Sequence, residues 1–200
     1  MAKTPETIEI RSYQVGFGDC FLLSFIYSKT DRRHVLIDFG TTGLPRKGKP
    51  SAHMPKVAAE IASIVGEGNR LTAVVATHRH ADHISGFATD GKTGKSGLVI
   101  RGLRPKRVLQ PWTEDPAAST SAKQATASAR GGKSLVSALA AMNDLAGRVQ
   151  RLADAKPAWM SAAMQKELSF LGAENIANRS AIDNLIAMGK AAGAKARYLR

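Results

Sequence analysis

Apolar residues in the first part of the chain fall into short runs rich in Val, Ile, Leu and Phe, separated by Gly-containing and polar turns. Such runs predict β-strands near 7–15, 19–27, 34–39 and 71–77. Between the third and fourth runs, Pro55 opens a segment whose apolar residues recur at helical spacing, which predicts a helix. The apolar stripe of this helix consists of Val57, Ala58, Ile61, Ile64 and Val65. The order strand, helix, strand is typical of an α/β protein.

The second half of the chain has a different pattern. Residues 117–133 are small and polar and contain Gly131-Gly132, which predicts a flexible linker. Residues 134–195 are rich in Ala, with apolar positions at helical spacing, and predict a helical insertion that serves as a packed structural element, a substrate lid or a partner-docking or self-association surface. We therefore divide the chain into an N-terminal metal-binding part (1–116), the linker, the insertion and a short strand opening at 196–200.

Composition narrows the class of protein. The chain has 200 residues, 44% of them hydrophobic, which permits a sizeable core. No apolar stretch approaches the roughly 18 residues needed to cross a bilayer, and no signal peptide is recognisable, so we expect no membrane span and a cytoplasmic location. The single cysteine, Cys20, excludes an internal disulfide framework, and its place on an apolar strand predicts a buried, inert thiol.

Four potential metal ligands lie directly after the apolar run 71–76. They are His78, His80, Asp82 and His83, in the sequence Thr-His-Arg-His-Ala-Asp-His. Neutral imidazole and carboxylate are ligands for zinc and similar cations, and the end of a strand can direct several of them to one point. This pattern predicts a metal site.

The spacing within this cluster suggests how two ions could be held. Side chains two positions apart on extended backbone point the same way, so His78 and His80 are predicted to share one metal ion. Asp82 and His83 diverge if a short helix follows, and are predicted to reach a second ion. Two ions about 3.5–4 Å apart would share a bridging hydroxide, a nucleophile at neutral pH. The chain has no His-Glu-x-x-His sequence, which excludes a zincin-type helix.

At these residues the chain resembles the metallo-β-lactamase superfamily, whose signature is His-x-His-x-Asp-His after a strand. The segment His-Val-Leu-Ile-Asp-Phe-Gly at 34–40 is similar to an earlier motif of that family, in which a strand ends in an Asp, here Asp38, that supports the metal-binding loop. The segment Val-Gly-Phe-Gly-Asp-Cys-Phe-Leu-Leu at 15–23 is similar to the strand turn of the branch that contains the metal-dependent domain of the competence protein ComEC. The three motifs span residues 7–110.

The resemblance implies a four-layer αββα sandwich and a metal-dependent hydrolase that uses a metal-bound hydroxide. It implies two divalent ions, with zinc preferred and manganese or iron as alternatives. Asp82 is then both a metal ligand and a catalytic residue, and Asp38 orients the ligands through hydrogen bonds.

One departure from the family pattern concerns the later ligands. The superfamily completes its two-metal site with further His residues and a bridging Asp downstream, whereas all five His of this chain lie at or before residue 83. We therefore expect the chain to represent the N-terminal half of the fold, continuing into a second half from 196–200. A diverged, metal-poor relative and a partner that supplies ligands in trans are the alternatives.

Charge suggests the substrate. The net charge is +13, from 29 Lys and Arg against 16 Asp and Glu. Arg101, Arg104, Lys106 and Arg107 follow the His cluster, and we expect them to form a cationic rim that binds an anionic, phosphodiester substrate such as a nucleic acid or nucleotide. The alternatives are an ester, thioester or lactone hydrolase, a non-catalytic binding protein with an incomplete metal centre, and a basic face that is merely solvated.

Overall fold

The protein has a mixed α/β structure with a six-stranded sheet. The structure is a computed structural model, and it describes residues 3–45, 48–66, 69–111, 148, 152, 155, 157, 159–165, 178–191 and 193–199. The predicted α/β class is confirmed, and the sheet and helices are consistent with a metallo-β-lactamase-like fold. No helix in the described part is both long and apolar enough to span a bilayer.

The strands lie in the sheet in the order in which they occur in the chain. They are β1 Thr7–Ser12, β2 Cys20–Ile26, β3 Arg32–Phe39, β4 Ala73–Val75, β5 Arg107–Pro111 and β6 Lys195–Leu199. The pairs β1/β2 and β2/β3 are antiparallel, and the pairs from β3 to β6 are parallel. The sheet therefore begins as a meander and continues with the crossover connections that parallel strands require.

The four predicted N-terminal strands are present, and the fourth is shorter than predicted. Strand β4 ends at Val75, although the apolar run continues to Ala76. The backbone N–H of Thr77 donates to the carboxylate of Asp38 at 2.8 Å and not to a strand carbonyl. The Asp38 side chain thus replaces the backbone hydrogen bonding of the sheet at this point, and the chain leaves the strand for the loop that carries the ligands.

The helices connect the parallel strands. The helices whose bounds the structure describes are α1 Pro50–Val65, α2 Ala81–Ile84, α3 Ser96–Gly102 and α4 Arg179–Lys190, with 3₁₀ turns at Ser85–Phe87 and Gly91–Thr93. The prediction that α1 is entered at Pro55 is wrong, because Pro50 occupies the first turn and Pro55 lies inside the helix. The first turn tolerates Pro because its N–H groups have no intrahelical partner.

The core lies between the helices and one face of the sheet. Leu22, Leu36, Val74 and Val108 face the helices and are fully buried. The buried residues of α1 and α4 belong to the same apolar cluster; they are Met54, Val57, Ala58, Ile61, Val65, Ala181, Leu185 and Met188. The opposite face of β1 carries the exposed side chains of Ile8 and Ile10. The described residues thus form one helical layer on one sheet.

The end of the described chain joins this same layer structure. Strand β6 pairs with β5, and Gly189 of α4 packs against Ala196 so closely that an added Cβ would lie 2.8 Å from the Ala196 Cβ. The predicted linker at 117–133 lies outside the described residues, and most of the predicted insertion between 134 and 177 does too. The domain boundaries stay predictions.

Candidate metal centre

The His cluster lies at the edge of the sheet where β3 and β4 end. His78 and His80 lie in the loop after β4, and Asp82 and His83 lie in the single turn of α2. His80 has extended backbone angles and caps α2 without a side-chain hydrogen bond. The cluster therefore combines side chains of the loop with side chains of the helix α2.

Three of the four predicted ligands converge. One donor atom from each of His78, Asp82 and His83 lies within 4.8 Å of the others. The Nε2 atom of His83 is 3.3 Å from Oδ2 of Asp82, and the ring centroids of His78 and His83 are 3.6 Å apart. The structure therefore groups His78 with Asp82 and His83, whereas the spacing on extended backbone predicted that it would share an ion with His80.

His80 lies beside this group without joining it. Its ring centroid is 4.8 Å from that of His78, with the two rings nearly perpendicular, and its side chain is exposed. The single turn of α2 begins immediately after His80 and turns Asp82 and His83 towards His78, and the sharing of an ion by His78 and His80 stays a prediction. Imidazole and carboxylate groups are typical ligands of borderline divalent cations. The set of His78, Asp82 and His83 therefore fits such an ion.

Asp38 connects the two histidines that converge. Its carboxylate accepts three hydrogen bonds: from the N–H of Thr77 at 2.8 Å, from the hydroxyl of Thr77 at 2.6 Å and from Nδ1 of His83 at 2.9 Å. The hydroxyl of Thr77 is in turn 3.0 Å from Nδ1 of His78. Asp38 is buried, at 3% exposure, as expected for a charge whose hydrogen bonds are satisfied.

This network selects the tautomer of both imidazoles. The Thr77 hydroxyl donates its proton to Asp38, so towards His78 it can only accept, and Nδ1 of His78 must carry the hydrogen. Nδ1 of His83 likewise donates to the Asp38 carboxylate. Both Nε2 atoms keep a free lone pair, which is the form that binds a metal.

The backbone of Asp38 is specialised for this role. The residue lies at an irregularity in the pairing of β2 with β3, where Cys20 pairs with Phe39 and Phe21 pairs with Ile37. It has φ of +50°, a left-handed conformation that Asp and Asn tolerate better than most residues. A bulge of this kind re-aims a side chain, and here it presents the carboxylate to the loop after β4.

Asp19 is a neighbour of the site that the sequence prediction did not include. Its Oδ2 is 3.4 Å from Nδ1 of His83, and its side chain is 45% exposed. Its backbone N–H donates to the carbonyl of Asp82 at 2.9 Å. The signal in the sequence that could identify it is the Gly18-Asp19 pair just before β2.

Two glycines hold the ligand helix close to the sheet. A Cβ at Gly18 would lie 2.6 Å from the carbonyl oxygen of Asp82, and a Cβ at Gly40 would lie 2.6 Å from that of Ala81. Such distances are too short for any side chain, so α2 rests directly on backbone. Ser85 fixes its far end, since its hydroxyl donates to the carbonyl of Thr41 at 2.8 Å.

A residue distant in sequence also holds the loop. Nδ2 of Asn178, just before α4, donates to the carbonyl of Arg79 at 2.8 Å. The sequence carried no recognisable signal for this contact, because it joins residues 99 positions apart.

Electrostatics at the cluster favour the neutral ligand form. The pKa of His78 is lowered, first by desolvation and then by the neighbouring His83 and His80 rings. Asp38 and Asp82 act in the opposite direction without reversing the shift. His78 is therefore unprotonated at neutral pH.

The four cations predicted to line the metal site do not lie together beside it. Arg104, Lys106 and Arg107 lie where β5 begins, and parallel strands place that point at the edge of the sheet opposite the ends of β3 and β4. Arg101 lines a separate cavity with Arg179 of α4. The predicted rim was based on the closeness of these cations to the His cluster in the sequence. However, α3 and the turn after it return the chain to the edge of the sheet where the parallel strands begin.

The remaining histidines make their contacts away from the cluster, and Cys20 is buried behind Asp19 and Asp38. His34 is buried in β3, with Nδ1 2.8 Å from the hydroxyl of Ser24. Nε2 of His53 is 2.8 Å from the carbonyl of Gln14. Burial raises the pKa of the Cys20 thiol, as expected for an inert side chain.

Comparison with known proteins gives one result. The model of the metallo-beta-lactamase superfamily matches residues 13–94, a span that includes β2, β3, α1, β4 and the His cluster. No curated protein and no solved structure matches the chain. The match agrees with the resemblance seen in the sequence at the level of the superfamily, and it does not extend to the ComEC-like branch.

Proposed function

We propose that this protein is a metal-dependent hydrolase that acts on phosphodiesters in nucleic acids or nucleotides. The observation that carries the proposal is the Asp38 network, which leaves Nε2 of both His78 and His83 free beside the Asp82 carboxylate. The superfamily match and the His/Asp group together suggest a metal-dependent hydrolase. The phosphodiester substrate, the metal and the ComEC-like branch are our proposals.

His78, Asp82 and His83 would hold a divalent ion, with His80 as a further ligand beside them and zinc as the preferred metal. A bound divalent ion would lower the pKa of water and would polarise the phosphoryl group whose phosphorus is attacked. Asp38 keeps both imidazoles in the ligating tautomer, and α2 resting on Gly18 and Gly40 fixes the position of Asp82 and His83. The Asp82 side chain is 41% exposed, so it is open to water and substrate, and we propose it as the catalytic carboxylate.

The phosphodiester class is supported by charge. The net charge of +13 raises the local concentration of anionic substrates around the protein. An uncharged ester or lactone would gain nothing from this field, which is why we prefer a phosphodiester for the same centre.

Metal binding tests the centre directly. His78→Ala with His83→Ala removes two of the three converging donors, so we expect stoichiometric zinc binding to be lost in equilibrium dialysis with elemental analysis. His53→Ala is the matched control, because His53 bonds a backbone carbonyl away from the cluster. Metal content that is unchanged in the double variant would overturn the proposed centre.

Hydrolysis tests the substrate class. We expect metal-dependent cleavage of bis-p-nitrophenyl phosphate or single-stranded DNA that Asp82→Asn reduces by several orders of magnitude, measured against p-nitrophenyl acetate and a lactone. Turnover restricted to the uncharged substrates would contradict the phosphodiester proposal and favour the ester or lactone alternative. Metal binding without any turnover would favour a non-catalytic binding protein.

A further inference from the structure

A basic cleft lies at the edge of the sheet opposite the metal centre. It is formed where β3, β4 and β5 begin and where α1 ends, and its volume is about 740 Å³. The cations that line it are Lys29, Arg32, Arg33, Arg70, Lys106 and Arg107. Two of them, Lys106 and Arg107, are residues that the sequence assigned to the metal site.

The positive charge of the basic cleft is largely uncompensated. Asp31 is the acidic residue among its described lining, and it already pairs with Arg33 at 3.3 Å and with Lys3 at 3.7 Å. Among the described residues, no acidic side chain forms an ion pair with Arg32 or Lys106, both of which are exposed, and the same holds for Lys29 and Arg107. The cleft therefore retains a strong positive field.

Two arginines of the basic cleft are held in place by contacts with neighbouring groups. Nε of Arg70 donates to the carbonyl of Arg104 at 2.6 Å, and its NH2 group donates to the carbonyl of Gly193 at 3.3 Å. The guanidinium of Arg33 lies over the ring of Tyr27, 4.2 Å from its centroid. The carbonyl contacts of Arg70 orient its guanidinium and leave its charge available to an anion, whereas the charge of Arg33 is already paired with Asp31.

The lining indicates which part of a ligand would be recognised. The apolar contribution comes from Ile64 and Val65 at the end of α1, and the rest is mostly charged or polar. A mononucleotide site needs an apolar or aromatic surface for its base, whereas a backbone site needs several cations spaced along a groove. A concave groove also fits an extended chain better than it fits a bilayer surface.

We propose that the basic cleft binds the phosphate backbone of a nucleic-acid strand, independently of base sequence. The site is separate from the metal cluster, since the two lie at opposite edges of the same parallel strands. It would increase the residence of a long polyanion on the protein and would contribute little to the binding of a short one. The proposal does not depend on the hydrolytic activity.

The test is the salt dependence of binding to a fluorescein-labelled oligothymidylate, followed by anisotropy between about 50 and 200 mM NaCl. The triple variant Arg32→Gln/Lys106→Gln/Arg107→Gln removes three exposed cations of the cleft. With roughly 0.7 counterions released per contact, we expect the slope of log K against log salt to become shallower by about 2. At about 0.1 M salt this corresponds to a loss of affinity on the order of a hundredfold.

A charge-matched control separates the cleft from the overall charge. Lys49→Gln/Lys56→Gln/Lys95→Gln removes three exposed cations at the start and first half of α1 and before α3. We expect this variant to keep nearly the wild-type slope. An equal effect of the two triple variants would overturn the proposal, because binding would then follow net charge alone. Lys29→Gln/Lys106→Gln provides a second cleft variant if the first unfolds, as judged by circular dichroism.

Two further measurements keep the outcomes distinct. Binding measured in EDTA with His78→Ala/His83→Ala should match wild type, so failure of the metal centre would leave the cleft proposal standing. Vesicles of phosphatidylserine and phosphatidylcholine serve as the other polyanionic surface. If the cleft triple variant loses vesicle binding and keeps oligothymidylate binding, the cleft faces a membrane and the nucleic-acid proposal is wrong.

Discussion

Asp38→Asn is the most informative single substitution in the metal centre. Asn has nearly the same shape as Asp and also tolerates the left-handed conformation at φ of +50°, so the backbone should be unaffected. What changes is hydrogen bonding, because one carboxylate oxygen becomes an NH2 group that can only donate.

Neither orientation of the new amide suits the site. If its NH2 group faces His83, it meets the Nδ1–H of that ring, and the imidazole can respond only by moving its proton to Nε2, where it blocks the metal. If the amide is flipped, its NH2 group meets the backbone N–H of Thr77, which loses its acceptor. The first outcome disfavours the ligating tautomer of His83 directly, and the second leaves the loop that carries His78 with a backbone N–H that has lost its acceptor.

The expected magnitude follows from the hydrogen bond lost. A hydrogen bond to a charged group contributes about 1.5–3 kcal/mol. Loss of a group that orients metal ligands typically costs 10- to 100-fold in metal affinity, or about 1.4–2.8 kcal/mol. The two estimates agree, so we expect the zinc dissociation constant of Asp38→Asn to rise about 10- to 100-fold.

The assay is competition for zinc with a chromophoric chelator at neutral pH. Asp19→Asn is the matched control, since Asp19 is also near Nδ1 of His83 but lies at 3.4 Å with a side chain that is 45% exposed. An exposed pair of this kind contributes about 0–1 kcal/mol, so its effect should stay below roughly fivefold. Affinity of Asp38→Asn within about twofold of wild type would refute the tautomer argument, as would an equal loss in Asp19→Asn.

Three further predictions concern packing, pH and metal. Gly40→Ala places a Cβ 2.6 Å from the carbonyl of Ala81 and should destabilise the protein by about 1–3 kcal/mol in urea unfolding, whereas Gly102→Ala, with open space around it, should not. Burial lowers the pKa of His34 below 6.5 in the folded state, so the free energy of unfolding should fall as the pH drops below about 6.5. His34→Gln should make this pH dependence shallower in thermal melts. An unchanged pH dependence would contradict the lowered pKa of His34. Zinc at about 100 times its dissociation constant should stabilise the wild type by about 2.7 kcal/mol and His78→Ala/His83→Ala not at all.

Local sequence pattern was sufficient to predict several helices and strands of the fold. Apolar runs identified β1 to β4 and the core stripe of α1, because strand and helix place side chains on one face with fixed periods. The position of the candidate ligands after β4 and of Asp38 at the end of β3 was also recognisable, since these residues lie within short contiguous motifs.

Which of these residues come into contact depends on the packing of elements that are distant in sequence. His78 joins Asp82 and His83 because α2 starts after His80, and that start depends on close packing against Gly18 and Gly40. Lys106 and Arg107 lie across the sheet from the ligands, although they follow them closely in sequence, because a parallel connection returns the chain to the opposite edge. The period of apolar residues predicts on which face of a helix or strand a side chain lies. Which two faces come into contact depends on crossover connections and backbone contacts between residues that are distant in sequence.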